Sequence, residues 1–179
     1  HANLLRPVPG DFESLVLRVD GVENVIGGTG DDLLLIDETE AAKNNTFTGA
    51  LGDDRVEYQN AFAGEATPGV AEPTVTIKVD NVAASLGGTD TVTMTGGRVG
   101  TTVATDTLNG VEFITLAQRT AAGVRENDVL DVTAMTAGAI VNYNDGTVRA
   151  LDNSLHVTVE GIDEIENIWA DGNDTVIVA

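Results

Sequence analysis

Aliphatic residues recur along this chain in strict alternation or in short runs, the period of strands rather than of helices. Leu15, Leu17 and Val19 alternate with Val16, Arg18 and Asp20 and predict a half-buried strand. Asp20-Gly21 predicts a turn and Val22 to Ile26 a second short strand. Leu33 to Ile36 is continuously aliphatic, as expected of a strand covered on both faces. Val75, Ile77 and Val79 alternate with Thr74, Thr76 and Lys78, and AIVNYNDGTV from Ala139 reads as strand, Asn144-Asp145-Gly146 turn, strand. No long helical segment is legible.

A phrase of glycine, aliphatic, acid, any residue, aliphatic recurs as GVENV at Gly21, GVEFI at Gly110 and GIDEI at Gly161. Repetition at irregular spacing predicts an all-β parallel stack of strands, a β-solenoid with irregular loop insertions. Residues 1–13 hold two of the four prolines and read as a linker or ragged edge, leaving 14–179 as the repetitive domain. The segment 60–73 (NAFAGEATPGVAEP) is expected to interrupt it as a loop. The abrupt start at His1, and the stop at Ala179 within a strand-like run, suggest a piece of a larger protein.

Charge narrows the possible partners. Nine Lys+Arg stand against 29 Asp+Glu, a formal charge of -20. Nucleic acid and anionic lipid both require positive charge, so neither is expected to bind. No apolar run reaches the length of a membrane span. The chain has no cysteine, so disulfides are replaced by some other staple, for which a bound metal is the natural candidate.

The candidate chemistry sits in glycine-rich turns. Gly27 to Leu35 reads GGTGDDLLL and fits G-G-x-G-x-D-x-U-x, with U aliphatic, at every specified place. Its glycines permit a tight turn that points carbonyl oxygens inward. Asp32 at the sixth place adds a carboxylate, and Leu34 at the eighth starts a strand. A second copy, GALGDDRVE from Gly49, places Asp54 and Val56 equivalently 22 residues later. Stacked coils would bring Asp32 over Asp54 with Asp31 and Asp53 beside them, four carboxylates that call for a cation. Oxygen-rich turns suit calcium. Weaker copies carry Asp90 with Val92, Asp128 with Leu130, and Asp174 with Val176.

These phrases resemble the RTX, or haemolysin-type, calcium-binding repeats, most closely the β-roll regions that follow serralysin-type proteases. The resemblance rests on GVENVIGGTGDDLLLID, on NDVLDVTAMTAGAIVNYNDGTV and on VEGIDEIENIWADGNDTVIV. It implies a right-handed parallel roll with calcium between successive turns. The implied ligands are Asp32 and Asp54 with backbone oxygens of Gly27, Thr29, Gly49 and Leu51, flanked by Asp31 and Asp53. Asp174 with Asp171 follows, then Asp90 and Asp128.

The expected function is therefore a calcium-binding structural module of a large secreted or cell-surface bacterial protein. It would be exported by a type I route and ordered by extracellular calcium, its other partner being the rest of the parent polypeptide. Two alternatives are an adhesin or surface-layer segment that binds surface glycan, with Trp169 available for stacking, and a calcium-dependent β-helix lyase or epimerase. The lyase needs a basic residue among acids on one face, whereas the seven arginines are scattered and Lys43 and Lys78 are the only lysines. No serine or threonine has a nearby histidine partner, so no enzyme activity is expected. His156, in LHVTV, is expected to be a solvated strand histidine.

Overall fold

The computed structural model describes residues 16–17, 23–37, 43–60, 74–96, 100–116, 128–162, 165 and 167–178. The expected N-terminal edge and, apart from Asn60, the expected insertion lie outside these residues. The protein is all-β. The described residues contain no α-helix, and Ala84–Leu86 forms a short 3-10 turn.

Fifteen strands follow one another among the described residues. They are β1 (Val16–Leu17), β2 (Asn24–Ile26), β3 (Leu33–Asp37), β4 (Thr46–Thr48), β5 (Arg55–Asn60), β6 (Thr74–Lys78), β7 (Thr89–Gly96) and β8 (Gly100–Asn109). Then come β9 (Phe113–Thr115), β10 (Val129–Asp131), β11 (Ala139–Asn142), β12 (Thr147–Ala150), β13 (Leu155–Glu160), β14 (Asn167–Trp169) and β15 (Thr175–Ile177). One sheet has the order β1-β3-β5-β9-β13-β12-β11-β15, and the other β14-β10-β6-β7-β8-β4-β2. The chain changes sheet at nearly every step, so neighbours within a sheet are separate passes of the chain.

Two meanders break this rule. β6, β7 and β8 are antiparallel neighbours in one sheet, and β11, β12 and β13 are antiparallel neighbours in the other. Both sheets are thus mixed, where an exclusively parallel stack was expected. A parallel neighbour needs a long crossover, whereas a tight turn such as the one around Gly146 (φ +70) sends the strand straight back. The meanders also make the repeat irregular. Leu34 lies beside Val56 after 22 residues, but the next layer, Ile114, comes 58 residues later.

Strand alternation turns every second side chain inward. Leu34, Val56, Ile114 and Val159 form one column across β3, β5, β9 and β13, and Val25, Phe47 and Leu108 form another across β2, β4 and β8. All seven are buried and belong to one continuous core. At an exposed face of the first sheet, the Arg55 guanidinium lies over the Phe113 ring and bonds both Glu160 and Thr115 Oγ1. That contact holds the Glu160 carboxyl below its ordinary range.

Candidate functional site

The acids singled out by the repeat converge on one structural role. An acid immediately before a parallel strand faces the same way as the aliphatic residue two places later, because side chains alternate. It therefore points into the stack. There its carboxylate accepts the main-chain N–H of the residue opposite it in the neighbouring strand.

Four pairs obey this rule, and Asp106, which lies inside β8 just before its parallel pairing with β4, makes a fifth bond of the same kind. Asp54 Oδ1 accepts the amide of Asp32 at 2.9 Å, and Glu112 Oε2 accepts the amide of Asp54 at 2.9 Å. Asp106 Oδ1 accepts the amide of Asn45 at 2.8 Å, Asp128 Oδ1 that of Val75 at 2.7 Å, and Asp174 Oδ1 that of Ala139 at 2.7 Å. Asp32, Asp54 and Asn45 directly precede their strands, Ala139 starts β11 and Val75 is the second residue of β6, and each offers a main-chain donor that stacking would otherwise leave unsatisfied. The carboxylates are structural caps, each linking one pass of the chain to the next.

The glycine corners are the most developed part of this ladder. Asp32 and Asp54 are brought together as expected, but through an amide. Asp32 Oδ2 turns back to accept the amide of Gly28 within its own corner, and Asp31 Oδ1 accepts the amide of Asp53 at 2.9 Å. The corners approach so closely that a Cβ on Gly52 (φ +136) would sit 2.6 Å from the Gly30 carbonyl. A Cβ on Gly49 would collide with the Asp54 carboxylate and the Gly110 carbonyl. Glycine is needed at both places because backbone meets backbone.

Burial and like charge raise the pKa values of carboxyls here. Desolvation pushes up the Asp54 carboxyl, and the charges of Asp32, Asp31 and Asp53 push it further, against the lowering effect of the Asp32 amide. Glu112 is raised by burial and by Asp54. Asp54 Oδ2 is the one oxygen of this corner group that is buried without a hydrogen-bond partner.

The other sequence-selected acids lie elsewhere. Asp90 is inside β7, where an antiparallel partner replaces the expected turn; its Oδ1 accepts the amide of Asp80 at 2.8 Å. Burial raises its carboxyl to about 7. Asp171 forms a turn with Asp174, whose Oδ2 accepts the Asp171 amide at 2.7 Å. Gly27, Thr29 and Leu51 fall in the corners, where the Leu51 amide donates to the Gly28 carbonyl.

The arrangement does not fit a calcium centre. Calcium takes six to eight oxygens, yet Asp31, Asp32 and Asp54 each give a carboxylate oxygen to a main-chain amide, and Asp54 Oδ2 is the one buried corner oxygen left without a partner. Among the described residues no group of three or more His, Cys, Asp or Glu side chains could hold a metal ion.

Sequence reasoning missed three residues. Glu112, the acid of GVEFI, continues the corner ladder, and the repeat phrase already contained it. Asp106 is buried and joins Asn45 to the Tyr58 hydroxyl, which donates to its Oδ2 at 2.8 Å. Burial and the Asp106 charge hold the Tyr58 hydroxyl well above its ordinary value. His156 is buried rather than solvated, with Nδ1 2.9 Å from the Asp80 carbonyl oxygen, so Nδ1 carries the proton. The turn around Asp80 and the adjoining 3-10 turn cover it, which no local pattern announces. Trp169, at the end of β14, is half-exposed.

No helix among the described residues is long and apolar enough to cross a membrane. No curated protein and no solved structure matches the chain. The resemblance to RTX repeats is overturned, and with it the reading of the chain as a calcium-binding RTX module. Its acid-aliphatic spacing arises from amide capping at strand starts, which any stack of parallel strands can use. The family that does match is of another kind: residues 91–172, from within β7 to just past β14, are similar to the Baseplate J-like protein barrel domain.

Proposed function

We propose that this chain is a structural β module of a phage baseplate or tail, acting through its shape and surfaces and not as an enzyme. The observation that carries the reading is the likeness of residues 91–172 to the Baseplate J-like barrel domain. The matched stretch includes both meander returns, β7–β8 and β11–β13, and the strands that connect them. We read the alternation of strands between two sheets as a flattened β-solenoid interrupted by those meanders. The amide-to-carboxylate ladder supports this reading, since it ties successive passes together where a coil would turn.

Such a module suits an assembly that bears mechanical load, because its core columns run across passes of the chain far apart in sequence. Immunogold labelling of intact tail particles from the source organism, with antibody against this chain, tests the proposal. Gold at the baseplate end supports it. Particles that carry no label, with the chain recovered only in the unassembled fraction, refute it.

A further inference from the structure

The glycine corners expose large aliphatic residues where a turn needs none. Ile26 at the end of β2 is 76% exposed, Leu51 in the second corner 65%, and Leu86 in the 3-10 turn 80%. Ile26 pairs with Thr48 at the end of β4, just before the second corner, and the layer of Gly110 lies between the turns that carry Leu51 and Leu86. The Leu51 amide reaches the Gly28 carbonyl, two residues past Ile26. A Cβ on Gly110, in the next layer, would lie 3.8 Å from the Ala50 amide nitrogen on one side and 3.5 Å from the Ala84 carbonyl on the other. Val82, four residues before Leu86, is also exposed, and a small cleft is lined by Ile26 with Val25, Leu34, Phe47 and Asp32.

The charge of this edge is one-sided. The segments 27–32, 49–54, 79–88 and 110–112 contain Asp31, Asp32, Asp53, Asp54, Asp80 and Glu112, and no lysine, arginine or histidine. Asp31 and Asp53 are exposed among the leucines. An aliphatic strip bordered by uncompensated carboxylates is unfavourable in water on both counts. A cover that is apolar in the middle and cationic at its edges removes both penalties. A simple cation would answer only the charge, and an anionic surface would be repelled.

We propose that this edge, from Ile26 through Leu51 to Leu86, is a docking surface for a lysine- or arginine-bearing, aliphatic-rich segment of another protein. The inference goes beyond the baseplate reading and does not depend on it. Ile26, Leu51 and Leu86 supply the apolar contact, while Asp31 and Asp53 pair with the basic side chains that flank it.

The test uses the full chain and a fluorescent peptide of alternating lysine and leucine, with a lysine–serine peptide of equal charge as control. Fluorescence anisotropy is expected to show binding of the lysine–leucine peptide at least about tenfold tighter than the control. The decisive variant is Leu51→Asp with Leu86→Asp. It adds negative charge, so diffuse attraction would strengthen, whereas docking on the strip would weaken by about tenfold or more. Should the added charges prevent folding, Leu51→Ser with Leu86→Ser removes the apolar contact at constant charge, and the same weakening is expected. Equal affinity for the two peptides, undiminished binding to the variants, or no binding at all would overturn the proposal.

Discussion

The main-chain amide of Asp32 donates to the carboxylate of Asp54, 2.9 Å away and 22 residues later in the chain. With the Asp53 amide on Asp31 and the Leu51 amide on the Gly28 carbonyl, it ties two neighbouring corners into a single unit. Glu112 repeats it one layer further on, toward the amide of Asp54. The acids that looked like a cation cage thus satisfy donors that stacking would otherwise strand.

Asp54→Ala should cost about 1–3 kcal/mol, the penalty for leaving a buried donor unsatisfied. Asp54→Asn keeps the Oδ1 acceptor and removes a charge crowded by Asp31, Asp32 and Asp53. Because the folded-state carboxyl is raised, its contribution is fully present at low pH and shrinks as pH climbs through the raised value. The asparagine variant should lose that slope. Urea midpoints across pH check both effects, and an alanine variant as resistant as wild type would show that the cap does not stabilise the fold.

Asp90 gives the larger pH effect. Its carboxyl titrates at about 7 in the folded chain, against an ordinary 3.8. The folded state therefore holds a proton that the unfolded chain has released. Stability should fall between about pH 4 and pH 7, by up to roughly 4 kcal/mol for this group alone. Asp90→Asn should flatten this part of the profile. Identical pH profiles of wild type and variant would remove Asp90 as the cause.

Gly52→Ala should be strongly destabilising, about 2–3 kcal/mol or more, through a positive φ and a clash with the Gly30 backbone. Gly172→Ala makes a suitable control, since an added Cβ there meets nothing within 4 Å. A thermal melt that ranks the two alike would contradict the close approach of the corners.

Calcium should leave the melting temperature unchanged relative to chelator, with magnesium as the comparison. Main-chain amides already take one oxygen of each of Asp31, Asp32 and Asp54, which leaves a calcium ion too few free carboxylate oxygens. A calcium-specific rise in melting temperature that vanishes in Asp54→Asn would show the corner to be a cation site after all.

Much of the fold was legible because strands announce themselves by alternation. β6, β11 and β12 fall where alternating Val, Ile and Thr residues place them, and the Asn144-Asp145-Gly146 turn joins β11 to β12 as expected. The meanders were less legible. Asp90 was read in a degraded turn, yet it lies within β7, because Thr89–Gly96 gains its strand character from pairing with β6 and β8. The burial of His156 was hidden for the same reason, its cover being the turn around Asp80.

From the sequence alone follow the all-β class and the two-residue spacing of acid and aliphatic. That spacing dictates that Asp32, Asp54, Glu112, Asp128 and Asp174 face inward at strand starts, since alternation is a local property of the backbone. Only the tertiary structure decides what each carboxylate meets. Its partner lies 22 residues away for Asp54 but 58 for Glu112 and 53 for Asp128, because β7 and β8 of the β6–β8 meander fall between the partners in the last two cases. A carboxylate aimed into a stack can be neutralised by an ion or satisfied by an amide, and which it finds depends on a register that no local pattern encodes.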